Sequence, residues 1–397
     1  MVTLKLSDLR TEIFLHRRDV DWITQAALGA LIGELMMGKR LGKLALAWGA
    51  LFGVMPELLE LFFSPVLDTA RELACRRALA HSLPLMALGS WGIAHGLAKL
   101  WKREKISKGE AGLFVFAVWS AHVLVDCFST EGSALLWPLL SKRVTFDFLY
   151  RIDFLFTAPL LVTAVWLVFI NEQKPKKTRG KKIAPVSKRK KICYWGLGLA
   201  AGYALLACGM KFIASSGFDA DLARRGTKFS RRMESPTPFN FLLWRSVVDR
   251  DVELWVGYRT IFERHDTPVR WTIYPKGADA LAKVADLRET KTLTSVTDNW
   301  WIARPNIKGA WLGDLRFCET RTWGSRKDAV DSRLAISWLI DTKHDGDHLR
   351  EIFPNESAPG DLMRMGRRIT GDREAWEANP RLAGAEGSLP EFLPVEE

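Results

Sequence analysis

The sequence predicts an α-helical polytopic membrane domain of five or six spans followed by a small extracytoplasmic α+β domain, and three observations carry that prediction. Up to about residue 214 the apolar residues come in blocks of roughly 20, enough for a helix to cross a hydrocarbon layer of about 30 Å. Beyond that point the 397-residue chain turns mixed, charged and rich in tryptophan, so its near-zero mean hydropathy averages two unlike parts. The few ionisable residues of the apolar part collect at one end of the blocks, as expected of spans that share a polar site at one membrane face.

Taken in order, residues 1–20 form a charged segment with no apolar core and no small-residue cleavage site, so no signal peptide is expected and the spans themselves direct insertion. The membrane helical domain is expected over 21–171. Its first apolar stretch, Trp22 to Met37, is short and rich in small residues; it spans when packed against its neighbours, or it re-enters. Longer blocks run from Leu41 to Phe63, His81 to Trp101, Ala111 to Phe128 and Asp153 to Ile170. A basic cytoplasmic loop over 172–191 leads to a last transmembrane helix over 192–213. Within the spans, Gln25 and Glu34 read either as partners of a site's ligands or as polar glue between helices. His95, deeper in its block, reads as a packing residue.

Charge sets the expected orientation. Asn171 to Lys191 holds ten Lys or Arg against one Glu, and Lys99 to Lys108 and Lys39 to Lys43 are also basic. The positive-inside rule places these stretches in the cytoplasm, which puts the Glu57 to His81 connection, the Phe128 to Asp153 connection and everything after residue 213 on the outer side. The net charge of +12 owes +9 to the Asn171 to Lys191 stretch alone, a topology determinant that also meets anionic lipid, so no nucleic-acid partner is expected. The five cysteines form no closely spaced set, so neither a zinc knuckle nor a disulfide framework is indicated.

After residue 213, runs such as VELWVGYRTIF, VRWTIYP, LTSVTDNWWIA and GAWLGDLRFCE alternate with period two and read as strands, while GADALAKVADLRE reads as a helix. An α+β domain is expected over 214–342, and a partly disordered tail rich in Asp, Glu, Pro and Gly over 343–397. The pair Trp300 and Trp301 reads as core, with a ligand-stacking surface or an interface anchor as the alternatives. No GxSxG, HExxH or P-loop occurs in this part.

Five residues are candidates for a metal site. His122 and Asp126 are four apart, so a helix projects both from one face, and imidazole nitrogen with carboxylate oxygen suits zinc. Asp153 and His81 begin other spans at the same membrane face, and Glu57 follows Pro56 at that end of its helix. An intrahelical hydrogen bond, a cap or a topology marker would explain His122 and Asp126, and taken singly the candidates read as structural; their convergence points to a divalent metal, with zinc the expected ion. Glu57 is a ligand or a general base. An open coordination position would let the ion activate water for attack on a substrate.

Several motifs resemble the YdjM-like inner-membrane proteins, a family described as membrane-bound metal-dependent hydrolases. The resemblance runs over about residues 21 to 260. DWITQAALGALIGE is similar to D-P-x-T-[HQ]-A-x-x-G-A-x-x-G, GVMPELLEL to G-x-x-P-D-x-D, and RRALAHS to H-R-G-x-[ST]-H-S. HVLVDCFSTEGSALLWP is similar to H-x-x-x-D-x-x-T-x-x-G-x-x-x-L-W-P, and Asp147 with Ile152 and Asp153 continues D-x-x-x-x-I-D. PTPFNFLLWR, after the last span, is similar to the soluble tail of longer members. The chain departs where Glu57 replaces the first Asp, Leu59 the second, Arg76 the first His and Ala78 the following Gly. Glu60 stands near Leu59, rotated by about 100° around the helix. The resemblance implies hydrolysis at the outer face of the cytoplasmic membrane, and headgroup depth makes an ester or phosphodiester of a membrane lipid or envelope molecule the expected substrate. The alternative is a non-catalytic scaffold with a degenerate site, whose soluble domain binds an envelope partner. A cation transporter is a third reading, with Glu34 and His95 the candidates for its route.

Overall fold

The computed structural model describes residues 21–171, 187–317, 319–321, 331–343, 346–352, 360–375, 381–382 and 391–392. The segment 1–20, most of the basic loop 172–191 and parts of the tail lie outside the described residues. Two compact units share the chain: Met1–Glu57, Ala87–His122 and Phe154–Ala200 make one; Leu58–Met86, Val123–Asp153 and Ala201–Glu397 make the other.

In the first unit, helix α1 (Asp21–Leu41) turns at Gly42, whose φ of 56° suits glycine, and packs back along α2 (Leu44–Gly53). Each helix carries a G-x-x-x-G pair, Gly29 with Gly33 and Gly49 with Gly53. The backbones come so close that a Cβ on Gly49 would overlap the Gly29 carbonyl. Small residues permit this approach, which is how helices associate where no hydrophobic driving force separates protein from lipid. Helix α2 ends before Pro56, and α3 (Met55–Phe63) sets off with its 3₁₀ extension at 47°. Proline has no N–H to continue the ladder and its ring crowds the preceding turn, so a break there is expected.

Four further helices complete the apolar part: α4 (Thr69–Cys75), α5 (Leu83–Leu100), α6 (Lys108–Phe128) and α7 (Phe154–Phe169). Helix α6 opens with a capping box, Ser107 N–H donating to Glu110 at 2.9 Å and Glu110 N–H to Ser107 Oγ at 3.2 Å. Thr24 on α1 meets Thr157 on α7 at 2.6 Å. The long helix α8 (Lys188–Arg224) carries Arg189, whose guanidinium forms a fork with buried Glu34, Nε to Oε1 at 2.7 Å and Nη2 to Oε2 at 2.6 Å. The same guanidinium donates to the Leu167 carbonyl at 2.7 Å and to that of Ile170, closing the end of α7. Glu34 is therefore glue between helices, and one of the ten basic residues counted as a topology signal is a buried ion-pair partner.

The expected number of spans is corrected. Among the described residues two helices, α6 and α8, are long and apolar enough to cross a membrane, or three if α2 with α3 counts as one bent span. Helix α7 has 16 residues, about 24 Å at the α-helical rise, short of a hydrocarbon layer of about 30 Å. Helix α5 has 18 but includes Ser90, His95 and Lys99, and α1 includes Glu34, Lys39 and Arg40. His95 has its Nδ1 2.9 Å from the Trp91 carbonyl, within its own helix.

In the second unit, strands β1 (Arg231–Pro236), β2 (Leu243–Asp249), β3 (Glu253–Thr260) and β4 (Trp271–Pro275) form an antiparallel sheet. Helices α9 (Ala278–Ala282) and α10 (Arg288–Val296) follow, then β5 (Trp301–Asn306) and β6 (Gly309–Asp314) of a second sheet. LTSVTDN, expected as strand, belongs to the end of α10 and its turn, because Leu293 is the apolar contact of a helix rather than of a ladder. Strands β7 (Glu319–Arg321) and β8 (Asp331–Leu334) belong to a third sheet, and β9 (Ser337–Asp341) pairs with β6. Where the sequence predicts a partly disordered tail, the described residues supply β10 (Leu349–Ile352) on β9, helix α11 (Gly360–Ile369), β11 (Arg381–Leu382) on β8 and β12 (Glu391–Phe392) on β4. Leu349, Met365 and partly buried Ile352 and Ile369 anchor these pieces in the domain cores, an apolar contribution hidden by the polar average. Trp300 and Trp301 are buried in the same cores, so the pair is packing.

Candidate metal centre

The break between α2 and α3 is the local device that builds the centre. In an unbroken helix the Gly53 carbonyl would accept from the backbone four residues on; here it lies 2.6 Å from Nδ1 of His122. A carbonyl only accepts, so Nδ1 carries the proton in this bond and Nε2 of the neutral ring presents a lone pair. That Nε2 is 3.0 Å from Glu57 Oε1, on the first turn of α3. Two acceptors at this distance require a proton or a cation between them. The second carboxylate oxygen, Glu57 Oε2, is buried and has no hydrogen-bond partner among the described residues.

One turn beyond His122 on α6 stands Asp126. Its Oδ2 is 2.9 Å from Nε2 of His81, and its Oδ1 is 3.2 Å from Nη1 of Arg77. His81 Nδ1 is 3.2 Å from Glu60 Oε1, and Glu60 also accepts the Arg77 backbone N–H at 2.6 Å. A carboxylate behind the imidazole fixes the ring and raises its basicity, an arrangement common behind metal-binding histidines. One ligand atom each from Glu57, His81, His122 and Asp126 lie within 4.8 Å of one another. Two imidazoles and two carboxylates suit zinc or a similar divalent ion. The donor set, the apposed lone pairs and the unmatched Glu57 oxygen together fit a metal.

Asp153, the fifth candidate, stands outside this group, its Oδ2 accepting from the Tyr203 hydroxyl at 2.7 Å. Glu60 backs His81 rather than replacing the ligand absent at Leu59. Arg76, which replaces the first His of the family motif, has its Nη2 3.9 Å from Glu131, and it is Arg77 that reaches Asp126. Gln25 donates to the His122 carbonyl at 3.4 Å.

Around Glu131 three guanidiniums gather: Arg77 Nε at 2.8 Å, Arg151 Nη1 at 3.2 Å and Arg76 at 3.9 Å. Burial works to raise the Glu131 pKa, but Arg77 and then Arg76 outweigh it and hold the carboxyl below its ordinary range. Arg77 has a φ of 52°, a left-handed conformation costing a side-chain-bearing residue about 1–2 kcal/mol. Its two ion pairs and the bond from Ala134 N–H to its carbonyl, 2.9 Å, hold it there. Arg77 and Glu131 are not singled out by the sequence, although each lies within a motif that is, RRALAHS and HVLVDCFSTEG.

Residues 20–213 match the family described as YdjM inner membrane protein. No curated protein and no solved structure matches the chain.

Proposed function

Through residues 20–213 the chain belongs to the YdjM inner membrane protein family, and from that premise we propose that it is a metal-dependent hydrolase of the cytoplasmic membrane. Its substrate is an ester or phosphodiester of a lipid or envelope molecule, cleaved at the outer face, where the C-terminal domain also lies. The observation that carries this reading is the convergence of ligand atoms from Glu57, His81, His122 and Asp126 within 4.8 Å. These four residues hold the ion. When bound, it supplies Lewis acidity toward a polarised ester or phosphoryl oxygen. His122 is kept by Gly53 in the tautomer that leaves Nε2 as a donor to metal, and Glu60 orients His81. Glu57 has one oxygen near His122 and one without a hydrogen-bond partner among the described residues, so it can both ligate and accept a proton. The basic stretches Lys99 to Lys108 and Asn171 to Lys191 support the orientation by the positive-inside rule.

Metal content of the detergent-purified chain, measured by elemental mass spectrometry, tests this. About one zinc or similar ion per chain is expected, lost in a His122→Ala, Asp126→Ala double variant together with hydrolysis of lipid esters and phosphodiesters. Wild-type protein that holds no ion after zinc supplementation would sink the reading. One observation favours the alternative of a non-catalytic scaffold that binds an envelope partner: the Arg77 guanidinium already lies 3.2 Å from Asp126 and partly stands in for a cation. On that reading the purified chain is metal-free and Arg77→Gln, not zinc, changes its stability.

A further inference from the structure

A cavity of about 910 Å³ opens within the second unit, between residues 130–147, the start of β1 and helix α10. Seven lysines and arginines line it against two aspartates, Asp147 and Asp298. Four of the seven are engaged by carboxylates: Arg231 with Asp249 at 3.2 Å, Arg232 with Asp219 at 2.6 Å, Arg288 with Asp68 at 3.0 Å and Arg316 with Asp314 at 2.7 Å. The other three, Lys142, Arg143 and Lys291, form no ion pair among the described residues. Three basic side chains of the lining are therefore left without a carboxylate at ion-pair distance among the described residues, with Glu131 acting on Arg143 from further off.

Arg143 makes the imbalance most acute. It is half-buried, and its Nη2 donates to the Arg76 carbonyl at 2.8 Å. Burial and then the nearby Arg316 bring its pKa down to about 10, Arg76 and Arg77 adding to the fall and Glu131 opposing it. Asp147 offers little relief, because burial raises its pKa. Like charges confined in a recess of lowered dielectric repel one another, and a bound anion removes that repulsion. Hydroxyls of Thr130, Ser141, Thr292 and Ser295 and the side chain of Asn299 add neutral hydrogen-bonding groups to the wall. The volume falls in the range of small-molecule sites, about 300–1,000 Å³, so a bare inorganic anion would leave most of it empty.

We propose that this cavity binds an organic phosphate, with Lys142, Arg143 and Lys291 taking the phosphoryl oxygens and the hydroxyl-lined wall taking the organic part. Charge-assisted bonds from guanidinium and ammonium to phosphate are the strong, orienting kind. The site does not depend on a metal. The phosphate comes either from a lipid headgroup or from a free phosphorylated molecule. Isothermal titration of the full-length chain in a non-ionic detergent separates the two sources, with sn-glycerol 3-phosphate as one probe and dihexanoyl phosphatidylglycerol as the other. Binding of the lipid probe alone assigns the headgroup, and comparable binding of glycerol 3-phosphate assigns the free molecule. In either case affinity should fall at least about tenfold in a K142Q/R143Q/K291Q variant. It should also fall in K142Q/K291Q, whose two positions are exposed and whose unfolding temperature should match wild type. Failure of the wild type to bind either probe, or undiminished binding by folded variants, overturns the proposal.

Discussion

Glu131 concentrates a large electrostatic responsibility in one side chain. With Arg76, Arg77 and Arg151 about it and 7 % of its side chain exposed, it is the counter-charge that lets three guanidiniums gather beside the candidate centre. Removing one member of a buried ion pair costs about 3–5 kcal/mol, because the remaining charge stays buried without compensation. A Glu131→Gln variant is therefore expected to lose stability of that order in denaturant unfolding of the detergent-solubilised protein. Its pH dependence follows from sign. The folded pKa is depressed below the unfolded value of about 4.3, so the contribution is present above that value and lost as pH falls through the folded pKa. Unfolding midpoints recorded down an acid series should show a steep acid limb in wild type that is flattened in Glu131→Gln; superimposable limbs would refute the assignment. At this scale the sequence is legible only where local geometry decides. His122 and Asp126 are readable as a pair because four residues on a helix bring them to one face. Glu60 is readable as a carboxylate beside Leu59 but not as the partner of His81, while Arg77 and Glu131 sit where loop conformation and tertiary approach choose the partner, and composition carries no trace of that choice.

The helices show the same division. Apolar blocks announce where helices lie, and α6 and α8 contain the expected spans, α8 running on past residue 213 to Arg224. Block length does not reveal that Pro56 splits Leu41 to Phe63 into two helices, nor that Asp153 to Ile170 yields only 16 helical residues. The packing of α1 on α2 depends on Gly29, Gly33, Gly49 and Gly53 having no side chain. Gly49→Ala inserts a methyl group where the Gly29 carbonyl stands, so the helices must separate. Overpacking of this kind costs about 1–3 kcal/mol. Gly202→Ala, on α8 with open space around it, should instead be neutral or stabilising by roughly 0.5–1 kcal/mol through helix propensity. Thermal unfolding of the two variants side by side checks the contrast, and equal shifts would show that the close approach is immaterial.

Across the whole chain, long-range pairings tie remote parts of the sequence together. Strand β12, at residues 391–392, joins the sheet begun at residue 231, and α11 sends fully buried Arg368 to Glu263 at 2.9 Å. Such pairings explain why composition, which reads the tail as partly disordered, does not locate the described pieces of it: their few apolar anchors work only against strands made much earlier. Helix α8 has 37 residues, about 55 Å, well beyond the hydrocarbon thickness. Its far end is fixed in the sheet domain by Phe218, Leu222 and the bonds from Trp271 and Val269 to Asp221, at 2.8 and 3.1 Å. The pair of Glu34 with Arg189 is the clearest case of long-range dependence. Glu34→Ala or Arg189→Ala alone should destabilise by about 3–5 kcal/mol, while a Glu34→Met, Arg189→Met double variant should recover most of the loss. A double-mutant cycle on unfolding free energies measures the difference, and additive single effects would deny the coupling. That pairing also bears on synthesis. Because 155 positions separate the partners, Glu34 leaves the ribosome long before its counter-ion exists. The first helix therefore lacks its counter-charge until the last one arrives to complete the pair.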